Sequence, residues 1–118
     1  MVTALMVPPN GHPTITQLVD DSNFLDRAVS KDTDYQLTAS ALKIETGIIA
    51  LHSDEGMLLM IHPNRQIGKK IIAGTFYIVG VHKGHLRSLT DKEIVRFTLR
   101  FWDTEIHSSD DVFESWFP

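Results

Sequence analysis

The sequence predicts an α+β domain, a mostly antiparallel sheet with two helices segregated to one side. Three observations carry this. An early pair of apolar runs is separated by a dense turn, as in a hairpin. Ile71 to Val81 is an almost unbroken series of apolar, β-branched and aromatic residues, as expected of a largely buried strand. Directly after it, Thr90-Asp91-Lys92-Glu93 opens an apolar-periodic run, the signature of a capped helix. With strands preceding and following a short helix, and a second helix late in the chain, the helices are expected to cover one side of the sheet.

Taken in order, Val2 to Val7 reads as a first strand, stopped by Pro8-Pro9-Asn10-Gly11. Thr14 to Val19 alternates apolar residues and returns as its hairpin partner. Asp20-Asp21-Ser22 supplies N-cap candidates for a helix in which Phe24/Ala28 and Leu25/Val29 pair at a spacing of four. Ser30 to Asp34 is a polar loop. Tyr35 to Ile44 and Ile48 to His52 are β-rich, Asp54-Glu55-Gly56 is expected to be a hairpin turn, and Met57 to His62 its return strand. His62 to Gly68 then leaves the sheet, Lys69 to Val81 forms one long strand, and His82 to His85 is the loop after it. In the late helix the Thr90 hydroxyl caps the Glu93 N–H and the Glu93 carboxylate reaches back, an arrangement whose cap alone stabilises by roughly 1 kcal/mol. Ile94, Val95, Phe97, Leu99, Phe101 and Trp102 give that helix a broad apolar face.

With 118 residues, 42% of them hydrophobic and 22% charged, the chain suits one self-sufficient domain spanning 1–118, residues 103–118 forming an acidic-aromatic C-terminal extension. Cysteine is absent, which excludes disulfides, thiolate metal sites and a cysteine nucleophile. No basic n-region precedes a long apolar stretch at the N-terminus, and no run approaches the roughly 18–20 apolar residues that span a bilayer, so the expected location is the cytoplasm, with no membrane partner.

The net charge of −4 conceals a segregation by segment. Met1 to Ile61 has three basic residues against eight acidic ones; His62 to Arg100 has eight basic against two acidic; Phe101 to Pro118 has five acids and no base.

Ile71-Ile72-Ala73-Gly74-Thr75-Phe76-Tyr77-Ile78-Val79-Gly80, a short loop, and Ser88-Leu89-Thr90-Asp91-Lys92-Glu93-Ile94 with a closing aromatic at Phe101 resemble the family catalogued as domain of unknown function 3846. Gly47-Ile48-Ile49-Ala50-Leu51, Glu55-Gly56-Met57-Leu58 and Pro63-Asn64-Arg65 are similar to the same family's strand, "EGKL" turn and "P-x-N-R" segment. The resemblance covers about residues 35–102 and implies an accessory protein of a phage, plasmid or integrative element of bacteria. It implies no activity, cofactor or catalytic residue. The longer first segment and the extension after Trp102 depart from the family pattern.

Four candidate sites follow from the residues. His82 and His85, with His62 as a third imidazole, have the chemistry of metal ligands, but without a carboxylate in register the expectation is solvated surface and no metal. Serines, histidines and aspartates lack a G-x-S-x-G elbow, and Gly68-Lys69-Lys70 lacks the rest of a P-loop, so no catalytic residue, no cofactor and no enzyme activity are expected. Lys69, Lys70, Lys83, Arg87, Lys92, Arg96 and Arg100 could neutralise phosphates of a nucleic acid. Asp103, Glu105, Asp110, Asp111 and Glu114, interleaved with Trp116 and Phe117, could instead form an anionic surface with aromatic anchors for a host or element-encoded protein. The leading expectation is therefore a non-enzymatic protein-binding accessory protein that inhibits a bacterial defence nuclease; the alternative is a small nucleic-acid-binding protein using the basic helix. An exposed Phe113, Trp116 and Phe117 would also allow a homodimer.

Overall fold

The computed structural model describes residues 1–117 and is an α+β domain. Strands β1 (Val2–Val7) and β2 (Thr14–Leu18) form the expected antiparallel hairpin around Pro8 to Gly11. Helix α1 (Ser22–Val29) starts where Asp21 accepts from the Phe24 N–H. Strands β3 (Ser40–Glu45) and β4 (Ile48–His52) pair next, followed by a short helix α2 (Glu55–Leu58), then β5 (Pro63–Ile67) and β6 (Lys70–Ala73), β7 (Phe76–His82) and β8 (His85–Arg87). Helices α3 (Asp91–Arg100) and α4 (Ser109–Trp116) complete the described chain. The main antiparallel sheet runs β2-β1-β7-β4-β3, with β8 extending the β1 side of β7, and β5-β6 is a separate two-stranded ribbon.

Alternation along the central strands gives the sheet two buried faces. Leu5, Val7, Phe76 and Ile78 point to one, where Phe97 of α3 and Phe101 at its C-cap pack together with Ile67 and Ile72 of the ribbon. Ala4, Tyr77 and Val79 point to the other, where Val29, Phe24 and Leu25 of α1 lie with Leu37. The α+β class and the mostly antiparallel sheet thus hold, while the number and placement of helices are revised. There are four rather than two among the described residues, and α1 and α3 cover opposite faces because both faces of β1 and β7 are apolar.

Three expected elements take another form. Tyr35 to Ala39 is not strand: side chains occupy its backbone donors, with Ser30 Oγ accepting from Leu37 N, Glu55 Oε1 from Thr38 N and Asp26 Oδ1 from Ala39 N. Asp54-Glu55-Gly56 is not a hairpin turn and Met57 to His62 is not a return strand. Ser53 starts a helical turn, its Oγ accepting from Glu55 N and its carbonyl from Gly56 N. Gly56 is needed there for proximity, since a Cβ would lie 3.0 Å from the Ala73 carbonyl oxygen. The long strand from Lys69 is broken at Gly74, whose φ of 85° departs from strand geometry, and Asp32 accepts from both the backbone N–H and the hydroxyl of Thr75. The break sends β6 back to pair with β5, so the segment expected to leave the sheet after His62 is itself a strand.

The ribbon is locked by the Pro63-Asn64-Arg65 segment. Asn64 donates to the carbonyls of Val7 and Gly74. Arg65, fully buried, donates to the carbonyls of Pro8, Gly11 and Phe101 and to Asn64 Oδ1, and its Nε has no partner among the described residues. Burial lowers the Arg65 pKa, opposed by the nearby carboxylates of Glu105 and Asp103.

Candidate functional site

The basic residues do not form an unpaired stripe. Arg87 makes a two-pronged contact with Glu93, at 2.8 and 3.0 Å, and Arg96 makes the same contact with Glu45 on β3, at 2.6 and 3.0 Å. The Arg87 hydrogen bonds hold the Glu93 carboxyl down to about 2, and the Arg96 hydrogen bonds lower Glu45. Lys70 sits with Nζ 4.3 Å from the centre of the Trp116 ring. Lys69, Lys83, Lys92 and Arg100 are exposed and make no ion pair among the described residues. The structure therefore breaks up the seven-residue cationic set, engaging its two best-placed arginines internally.

The extension divides in the same way. Glu105 accepts from the Gln66 N–H on the outer side of β5, and also contacts His107 at 2.9 Å. Ser108 and Asp111 form a capping box at the start of α4, whose hydrogen bonds lower the Asp111 pKa. On the outer side of β6, Ser115 Oγ accepts from Ile71 N and Trp116 Nε1 donates to Ile71 O. These contacts satisfy backbone groups that an open ribbon would expose. Glu105, Asp111 and Trp116 are thus committed to the fold, while Asp103, Asp110, Glu114 and Phe117 remain exposed. The apolar surface that Phe113, Trp116 and Phe117 could offer a second copy is reduced accordingly, with Phe113 and Phe117 packing against each other at 5.0 Å between ring centres.

The most distinctive exposed surface lies where α2 meets α4. Met57, Ile61 and Trp116 pack inward against Ile71, Ala73 and Val112. Leu58 and Met60 turn outward, 66% and 71% exposed, beside Phe113 at 50%. Together with Met57, Ser109 and Asp110 they line a shallow groove of about 200 Å³. Met60 has a φ of 54°, a left-handed backbone that a side-chain-bearing residue rarely adopts. Leu58 and Leu59 also border a second groove with Tyr35, Leu37 and Glu55, so apolar surface continues around the end of α2.

The three histidines are not brought together. His82 and His85 face each other in register across the β7–β8 turn, with His85 Nδ1 3.7 Å from Asp20. His62 lies beside Gly74 at the other end of β7, a strand of seven residues or roughly 23 Å. Among the described residues no group of three or more His, Cys, Asp or Glu side chains could hold a metal ion, and no helix is long and apolar enough to cross a membrane.

No family model, curated protein or solved structure matches this chain. The arrangement must therefore be judged on its own chemistry. Sequence reading missed Leu58, Leu59 and Met60 because it placed Met57 to His62 in a return strand. The signal that could have found them is Ser53-Asp54-Glu55, a serviceable helix start that turns the following apolar residues onto more than one side. It also missed the structural role of Arg65, which shares its residue type with the exposed arginines and differs only in what surrounds it.

Proposed function

We propose that this protein acts by binding another protein through the acid-rimmed apolar surface of α2 and α4, and not by catalysis. The observation that carries the reading is the grouping of Leu58, Met60 and Phe113, all more than half or half exposed, around one groove that also includes Asp110. Large side chains held out of the core at one place, beside carboxylates, suit a partner that offers an apolar insert with a basic rim. Asp110 lines the groove, and Glu114 lies one turn further along α4.

A basic partner of this kind fits a nucleic-acid-handling enzyme. Together with the resemblance to a family of phage and mobile-element proteins, this favours an accessory role in which the anionic surface occupies the cleft of a bacterial defence nuclease. The nucleic-acid-binding alternative is less favoured, since Arg87 and Arg96 already have carboxylate partners.

The test is affinity capture of the tagged protein from bacterial lysate with nuclease treatment, comparing the native chain with Met60→Asp and Phe113→Asp. A protein partner that survives nuclease treatment and is lost with either variant supports the reading. Recovery of nucleic acid alone, or a partner indifferent to both substitutions, overturns it.

A further inference from the structure

The open edge of β2 is the one strand edge left without a protective device among the described residues. On β3, Lys43 and a bulge between Lys43 and Glu45 interrupt the edge; Glu105 covers β5, and Ser115 and Trp116 cover β6. From Pro13 to Val19 the chain carries no charge.

The direction of its backbone groups follows from β1. Thr3 donates to Ser88 Oγ and its carbonyl accepts from Leu89 N, so Thr3 bonds away from β2. Its neighbours Val2, Ala4 and Met6 therefore carry the ladder to Leu18, Thr16 and Thr14. Ile15 and Gln17 are consequently turned outward, with no backbone hydrogen bond to another segment among the described residues.

We infer that this edge pairs with the same edge of a second copy, antiparallel and centred on Thr16. Several features of the strand agree on that register. The outward groups of Ile15 meet those of the partner's Gln17, and the reverse, as closely spaced hydrogen-bonded pairs. Just beyond the strand ends, the buried Pro13 comes opposite the partner's Val19. Proline has no N–H to donate, and the Val19 carbonyl already accepts from Asp21 N at 2.8 Å, so the missing donor falls opposite an acceptor that needs none. Thr16 faces its own copy across the twofold axis, a favourable cross-strand pair.

Neighbouring side chains supply apolar cover. Ile15 is 61% exposed, and His12 stacks on Trp102 with ring centres 3.8 Å apart. Trp102, 46% exposed, is held beside the β1–β2 turn by this stacking and by His12 Nδ1 at 2.7 Å from its carbonyl. A second copy is preferred over an unrelated extended peptide because the Pro13 and Val19 match arises only when this sequence pairs with itself. The inference is independent of the α2–α4 reading, since it uses a different part of the molecule.

Sedimentation velocity on the full chain tests it, alongside Thr16→Lys, Thr16→Glu and Gln17→Pro. The native chain is expected to be a dimer at micromolar concentration. Thr16→Lys and Thr16→Glu each place like charges opposite one another and should be monomeric, and mixing the two should restore a dimer. Gln17→Pro removes an outward donor without touching the β1 ladder and should also be monomeric, with the folded circular dichroism signal kept. A native chain that stays monomeric at ~100 µM overturns the inference by excluding a Kd in the micromolar range. So does a dimer unaffected by the folded variants, or one not restored by mixing oppositely charged chains.

Discussion

Arg65 donates from Nη2 to the carbonyl of Phe101 at 2.7 Å, tying the β5–β6 ribbon to the C-terminal end of α3. The same guanidinium holds the Pro8 and Gly11 carbonyls at 2.8 Å. One side chain therefore joins the β1–β2 turn, the ribbon and the helix. Arg65→Lys should destabilise almost as much as Arg65→Ala, because an ammonium cannot span carbonyls on several sides. Each buried acceptor left without a donor costs about 1–3 kcal/mol, so a loss of at least ~2 kcal/mol is expected for either variant in urea unfolding. Arg65→Lys within ~0.5 kcal/mol of the native chain would show that the cage does not carry this weight.

What could be read from the sequence was local. The Thr90 and Glu93 capping box, the Asp21 cap and the β1–β2 hairpin depend on neighbours a few residues away, and all three are present. The break at Gly74 depends on Asp32, 43 residues distant from Thr75, and an apolar run alone gives no reason to divide there. How the acidic extension docks depends on distant partners in the same way. Glu105 is neutral with respect to function until Gln66 is placed beside it, and Trp116 is an anchor only until Ile71 offers its carbonyl. Ser108 to Asp111, by contrast, repeats the spacing of the Thr90 box, a local signal for α4 that sequence reading did not use.

Trp116 contributes both a ring against the core and a hydrogen bond to the Ile71 carbonyl at 2.8 Å. Trp116→Phe keeps most of the ring and deletes the donor, so about 1 kcal/mol should be lost. Trp116→Ala also removes the packing and should cost about 3–5 kcal/mol. Thermal unfolding of the two variants checks the difference. Equal losses would mean that the hydrogen bond rather than the ring holds α4 in place.

His52 is 2% exposed, and burial holds its imidazole below the usual value, opposed by Asp54. Its Nδ1 has no partner among the described residues. Because the unfolded chain takes up the proton more readily, His52 contributes stability that is complete above about pH 6.5 and is lost as pH falls through its folded value. Glu93, held to about 2 from an ordinary 4.5, contributes stability present above 4.5 and lost as pH falls toward 2; Glu45 and Asp111, also lowered, act in the same acid range. The urea midpoint should therefore decline in two stages. His52→Leu should remove the upper stage, and Glu93→Gln should reduce the lower one. An unchanged upper stage in His52→Leu would assign it to another group.

Arg96 bridges α3 to β3 through Glu45, and both side chains are largely solvent-exposed, at 51% and 40%. A pair so placed is screened by solvent and contributes little, and its loss should leave the fold intact. Reversing the outer charge of α3 with Lys92→Glu and Arg100→Glu should be tolerated still better, since neither residue makes an ion pair among the described residues. If the α2–α4 surface is where the partner binds, these reversals leave partner capture unchanged while Phe113→Asp abolishes it. The opposite pattern, capture lost on reversing α3 and kept in Phe113→Asp, would transfer the functional surface to the helix. Nucleic-acid binding measured at low and high salt then distinguishes the two forms such a surface could take. A phosphate-binding helix loses affinity by about one logarithmic slope unit per neutralised phosphate, and each charge reversal should lower that slope.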